Sequence, residues 1–299
     1  MTYYAWQLLR DGLSEFGDLL DGLATGGSTT TIGDTGRPSD EDPAQFEGAT
    51  AIVTYDSAGA GAAPEGEWSR VTSFTSNAFN LASTLTAAVA SGDHYVISSN
   101  LFPHTKHIRL MNEALRHRKL GTNVPATDTS ITSANNQTEY TLPTAIKEKA
   151  IRGIFYQGIT TDANDNRWIR IEHWNVTYTA GNATALLILP QLPTGRTVKI
   201  EYLGVHPAIT AYNSAISEYI PSDLAVALLV ERMAAAQSSE SQHVARPFTI
   251  GYDRAKAELD EALRRNWPLL RPRRHPKMTI VDSGDYRFID PDQFTYPSA

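Results

Sequence analysis

Leu224-Ala-Val-Ala-Leu-Leu-Val230 is an unbroken apolar run. It is too short to cross a bilayer, and its alanines and leucines favour helix over strand. A helix that is apolar all round has no face to give to water, so it belongs at the centre of a helical layer. Ser222 stands where a helix cap is wanted, and Leu228 and Met233 carry the helix onward.

Three further helices are expected around it. Over Thr2 to Leu23, the residues Trp6, Leu9, Leu13, Phe16 and Leu20 recur at spacings of three and four. Asp11, Glu15 and Asp18 fall off that face, and Gly26-Gly27 ends the segment. Thr105 to Leu120 places Ile108, Met111 and Leu115 on one side and closes at Gly121. Thr249 to Asn266 aligns Tyr252, Ala255, Leu259, Ala262 and Leu263, with Glu261 and Arg265 paired four apart on the other side.

Between the helices the period shortens to two. Ser28-Thr-Thr-Thr-Ile32, Ala51 to Tyr55, Trp68 to Phe74 and Tyr95 to Ser98 read as strands. Gly33 to Pro43 is a turn-rich loop, and Ser57 to Pro64 is a small-residue hairpin tip. A Thr/Ser/Asn-rich linker is expected over Thr122 to Asn136. Beyond it comes Glu139-Tyr-Thr-Leu-Pro143, followed by a strand-rich block in which Trp168 to Val176, Leu186 to Leu189 and Val198 to Tyr202 are strand candidates. Past Pro268, proline punctuation argues against helix.

The expected class is therefore α+β: a four-helix core with two strand-rich, sandwich- or barrel-like insertions and an extended C-terminal arm. The boundaries read as 1–24 for the first core helix, 25–103 for the first insertion and 104–122 for the second core helix. The second insertion covers 123–205, the helical hairpin 206–267 and the arm 268–299.

At 299 residues the chain is long enough to bury sizeable cores. It has no cysteine, which excludes disulfides, thiolate zinc sites, iron–sulfur centres and cysteine nucleophiles. The N-terminus lacks a basic stretch ahead of an apolar core, so no secretory signal is expected. No run of about 18 apolar residues suggests a membrane span. Net charge is −7, without the global basic face of a protein that grips nucleic acid. Such a surface suits DNA that slides past without binding.

No motif assembles a catalytic or metal site. His104 and His107 lie three apart with no third ligand in step, and solvated first-turn histidines are expected. Asp162-Ala-Asn-Asp-Asn166 begins like a calcium loop but lacks the later glycine and glutamate, so a hairpin turn is expected. Gly59-Ala-Gly61 opens no helix and precedes no lysine. Asp40, Glu41 and Asp42 are a loop charge run. The expectation is a non-enzyme with no metal and no cofactor. The one charge cluster is Arg271-Pro-Arg-Arg-His-Pro-Lys277. Arg271, Arg273, Arg274 and Lys277, followed by Tyr286, Phe288, Phe294 and Tyr296, are expected to form an arm docking onto an acidic partner chain.

Several phrases resemble virion proteins of tailed bacteriophages, in particular the neck or head-to-tail connector (adaptor) proteins. They are Ala24-Thr-Gly-Gly-Ser-Thr-Thr-Thr-Ile32, Glu67-Trp-Ser-Arg-Val-Thr72, Gly92-Asp-His-Tyr-Val96 and Asn112-Glu-Ala-Leu115. Glu139-Tyr-Thr-Leu-Pro143, Val198-Lys-Ile-Glu-Tyr202, the Leu224 to Ala235 helix and Arg254 to Arg264 extend the resemblance over nearly the whole chain. It implies a homo-oligomeric ring, commonly a dodecamer, seated between the portal protein and the tail or further neck proteins at the portal vertex of the virion. DNA would pass through the ring without specific binding, and assembly would take place in the host cytoplasm. The two insertions depart from smaller adaptors. They leave open a tail-associated protein that binds fibres, a receptor or glycan through Trp68, Trp168 and Trp174.

Overall fold

A computed structural model describes residues 2–37, 42–59, 61–116, 123–158, 167–179, 184–240 and 252–270. Arg271, Arg273, Arg274, Lys277, Tyr286, Phe288, Phe294 and Tyr296 lie outside the described residues, as do Asp40, Glu41 and the stretch Asp162 to Asn166. Among those described, the chain is α+β, with four helices and several sheets.

In chain order the elements are β1 (Tyr3–Tyr4), α1 (Ala5–Phe16), β2 (Leu19–Leu23), β3 (Gly26–Gly27), β4 (Thr31–Gly33), β5 (Thr50–Tyr55) and β6 (Trp68–Thr75). There follow β7 (Ala78–Leu81), β8 (His94–Ser98), α2 (His104–Leu115), β9 (Asn123–Thr132), β10 (Glu139–Thr141), β11 (Ile151–Gln157) and β12 (Trp168–Arg170). The last are β13 (Asn175–Tyr178), β14 (Ala185–Ile188), β15 (Thr197–Val205), β16 (Ala215–Ile216), α3 (Ser222–Glu240) and α4 (Tyr252–Leu270). Two compact units result, one of Met1–Pro125 with Gly204–Leu270 and one containing Ala126–Leu203.

In the first unit, α3 packs against α1, α2 and α4. Leu224, Ala225, Leu228, Leu229 and Met233 are fully buried, as expected of a helix without a polar face. The helix begins after Pro221, whose carbonyl accepts from Ala225 N–H at 3.0 Å, so Pro221 and not Ser222 takes the cap position. Trp6, Leu9, Leu13 and Phe16 of α1 face the same core.

The first helix is shorter than its spacing suggested. Gly17 adopts the left-handed conformation (φ 86°), and Asp18 N–H reaches back to Leu13 O at 3.0 Å while Gly17 N–H reaches Ser14 O at 3.3 Å. That pair of bonds terminates a helix. The Asp18 carboxylate then takes the Ser99 N–H and hydroxyl at 3.2 and 3.0 Å. Leu20, expected on the helical face, lies in β2 and packs against a different core.

That core belongs to a seven-stranded sheet of order β2-β8-β5-β6-β7-β4-β3. Its two edge strands are consecutive in sequence, separated only by Ala24 and Thr25. Their N–H groups bond to Asp93 O and Gly33 O, both at 2.8 Å. The sheet therefore curls so that the ends of its two edge strands come together at Ala24 and Thr25. Ile32, Phe46, Val53, Val71, Phe74, Phe79, Tyr95 and Ile97 fill the interior. Ile52 of β5 and Val96 of β8 point the other way, into the helical core. Strands buried on both faces lose the polar alternation, which is why Ala51-Ile-Val reads as a plain apolar run.

Two more expectations shift at helix ends. The second helix stops at Leu115, with Arg116 as its cap, and residues 117–122 lie outside the described region. The fourth continues through Pro268 to Leu270. Pro268 lacks the N–H of that turn, and the helix ends two residues on. Ala255, Leu259 and Ala262 are buried, but Tyr252 at the helix start is 39% exposed and not on the buried face. Arg265 and Glu261 pair at 3.2 Å.

The second unit holds a four-stranded sheet (β12-β11-β15-β9) and a three-stranded one (β10-β14-β13). Ile131, Tyr140, Ile154, Ile171, Val176, Leu187, Val198 and Ile200 form its core. The expected Thr122 to Asn136 linker contains the ten-residue strand β9; its β-branched residues suit a strand, and Pro125 is tolerated because β9 is an edge. The expected single strand Trp168 to Val176 is two strands in different sheets, β12 and β13, with Ile171 turned into the core between them. Among the described residues no helix is long and apolar enough to cross a membrane.

Candidate functional site

The most chemically unusual place in the first unit lies where α2 begins. Pro103, in extended conformation, caps the helix, and His104 and His107 then share one face at a spacing of three. His107 is buried, contrary to expectation, and His104 is half-buried. His107 is 1% exposed, because it falls in step with Leu110, Met111 and Ala114 on the inward side of α2. His104 lies flat on the Trp68 indole, with ring centroids 3.6 Å apart and planes 9° from parallel.

Tyr212 completes the cluster. Its ring stands edge-on to His104 at 5.0 Å and to Trp68 at 6.4 Å, a favourable aromatic geometry. Its hydroxyl is 2.8 Å from His107 Nδ1. Nearby, Asn112 fastens the same chain segment to α2: its amide donates to Ile209 O at 2.8 Å and its carbonyl accepts from Ile209 N–H at 2.9 Å.

Electrostatics follow from burial. Loss of water, with His104 and Lys106 adding their charge, pushes His107 down to about 3. Burial also lowers His104 and raises the Tyr212 phenol. Both imidazoles are thus neutral near pH 7, and a ring titrating near 3 is a poor general base there. His107 Nε2 and His104 Nδ1 are buried with no hydrogen-bond partner. Among the described residues, no group of three or more His, Cys, Asp or Glu side chains is arranged to hold a metal ion. The cluster can clamp α2, β6 and the Tyr212 segment together through neutral rings.

A second polar network closes the rolled sheet. The Tyr95 hydroxyl donates to Asp34 Oδ2 at 2.6 Å and accepts from Arg37 Nε at 2.9 Å. Arg37 also lies 3.5 Å from Asp34, and its carbonyl accepts from the Asn77 amide. Burial first, then the Asp34 hydrogen bond, raises the Tyr95 phenol. Gly22 passes directly over this hydroxyl, where any side chain would collide with it. Asp34 and Arg37 come from the loop read only as turn-rich.

Of the three tryptophans in the tail-associated alternative, Trp68 is 38% exposed, and each has a neighbour. Trp68 carries His104 on one face, Trp174 packs against the core of the second unit, and Lys199 Nζ sits 5.0 Å from the Trp168 ring and 4.6 Å from Phe155. Lys199 also pairs with Glu201 at 2.8 Å. Of the earlier candidates, Asp42 caps a short 3-10 turn through Ala44 N–H at 3.0 Å. The docking-arm residues, Arg271 through Tyr296, fall outside the described region. Tyr212, Asn112 and Asp34 went unnoticed as site residues; only the register of His107 with Leu110 and Met111 foreshadowed the cluster. No family model matches the chain, and no curated protein matches it.

Proposed function

We propose that this chain is a non-enzymatic structural subunit of a phage neck, one member of a homo-oligomeric ring that joins the portal to the tail and surrounds the DNA exit channel. The observation that supports this reading is the placement of the helices. Segments 5–16, 104–115, 222–240 and 252–270, far apart in sequence, pack around one apolar helix, with strand-rich modules inserted between them. Such an α+β arrangement is what an adaptor-like helical core carrying insertions would present. A ring closes through one pair of complementary patches repeated head to tail. The acidic balance of −7 suits a channel past which DNA slides.

The basic and aromatic arm from Arg271 to Tyr296 is the element proposed to dock on the portal or a neighbouring subunit. Co-sedimentation with a matching portal ring tests this. The full chain is expected to travel with the portal. A chain ending at Leu270, which leaves α4 whole, is expected to stay folded and remain at the top of the gradient. Failure of the full chain to co-sediment, together with retention on immobilised glycans, would favour the tail-associated reading instead.

A further inference from the structure

Between β15 and α3, residues 206–217 cross the first unit as a strap over α1 and α2. Tyr212, Ile209 and Ile216 are buried beneath it. Its carbonyls at Tyr212 and Ser214 accept from Trp6 and Ala5 N–H, each at 2.9 Å. They thereby satisfy two of the N–H groups that the start of α1 leaves without helical partners. Its strand β16 pairs with β1, Ile216 opposite Tyr3 and Ala215 opposite Tyr4. Two histidines fix this strap: one ties it to α2, and the other ties its two ends to each other. His107 of α2 grips Tyr212 in its middle. His206 at its start, 1% exposed, is bonded through Nδ1 to Pro207 O at 2.6 Å and through Nε2 to Ser217 N–H at 3.1 Å.

We propose that the strap is an acid-released latch, held shut by the neutral forms of His107 and His206 and lifted from α2 and the start of α1 when these rings take up protons.

The bonding dictates the direction. The Pro207 carbonyl can only accept, so His206 Nδ1 carries its proton and Nε2 is the lone pair that receives Ser217 N–H. A second proton on Nε2 would set donor against donor at the strap's far end. At His107, Nε2 is buried without a partner, so an imidazolium there would be an uncompensated charge. The neighbours acting on these rings carry positive charge, His104 only once it is itself protonated. His104 and Lys106, on α2 itself, act on His107, and Arg116 acts on His206. The titratable group facing His107 from the strap is Tyr212, a phenol held neutral by burial. Closed, both rings therefore resist protonation; open, they return to water and titrate near the ordinary 6.5. A group whose folded form binds its proton less readily destabilises the closed state as pH falls below 6.5. Between pH 7.5 and 5, each ring favours opening by up to about 30-fold. The device is a property of this unit and does not rest on the neck assignment.

Hydrogen exchange on the full chain tests it, comparing pH 7.5 and 5.0 after correction for the intrinsic rate. Peptides covering residues 3–7 and 206–217 are expected to lose protection by up to about 30-fold per ring, while peptides from 224–234 keep theirs. In the double variant His107→Gln, His206→Gln this extra loss is expected to vanish. Should that variant fail to fold, His206→Gln alone, whose amide retains one donor and one acceptor, is expected to remove its share. The latch is overturned if the strap stays protected at pH 5.0. It is equally overturned if α3 loosens in step with the strap, or if the non-titrating variants loosen as the natural chain does.

Discussion

Gly12 of α1 sits so close to Leu229 of α3 that a methyl group on it would lie 2.8 Å from Leu229 Cδ2 and 3.3 Å from Cγ. A glycine inside a helix costs about 1 kcal/mol relative to alanine, and here the cost is accepted because the two helices approach closely. The usual stabilising exchange is therefore expected to reverse sign. Gly12→Ala should lower stability by about 1–3 kcal/mol through overpacking, read from urea denaturation. Combining it with Leu229→Ala should cost less than the two changes summed, since the clash is shared. Stabilisation by Gly12→Ala alone would mean that α1 and α3 are not in close contact.

The Tyr95–Asp34–Arg37 network carries a second expectation. Tyr95→Phe leaves the Asp34 carboxylate, 7% exposed, without its 2.6 Å donor. Removing one partner of a buried polar pair costs about 1–3 kcal/mol. A fall in the melting temperature of the first unit, with the β signature of the remaining chain unchanged, is the expected result. A neutral substitution would show the network to be solvated.

The indole of Trp68 reports on His104. Burial lowers this histidine from its ordinary value, so the ring stays neutral as pH falls to 6.5 and charges only below it. Whatever stability the neutral stack supplies is present above pH 6.5 and declines as pH drops further. An imidazolium stacked 3.6 Å from an indole accepts an electron from its excited state. Trp68 emission is therefore expected to fall with a midpoint below 6.5. Because the chain has five tryptophans, the signal is the difference between the natural chain and His104→Leu, which should lack the transition. A midpoint at or above 6.5 would contradict the lowering of His104 by its half-buried place on Trp68.

What was legible in the sequence follows from which patterns are local. The central place of α3 was readable from Leu224 to Val230 alone, because a helix without a polar side has one possible environment. The face of α1 was readable up to Phe16, but not its end. Leu20 continued the helical spacing by coincidence, and only the left-handed Gly17 marks the switch to β2. β9 was hidden for the opposite reason: Thr, Ser and Asn are common in linkers, and its pairing with β15 comes from residues about seventy positions away. The site was the least legible part. Trp68, His104, His107 and Tyr212 are brought together from three separate stretches, and no spacing in the sequence encodes that meeting. His107 alone could have been placed, by counting it with Leu110, Met111 and Ala114 as a member of the buried face.

A neck subunit, as proposed, forms a ring beneath a portal. The most direct measurement is negative-stain electron microscopy of the purified protein mixed with a matching portal ring. A second ring stacked on the portal is expected, as is its loss when the chain ends at Leu270. Intact portal rings with nothing attached, in the presence of excess full-length chain, would contradict it.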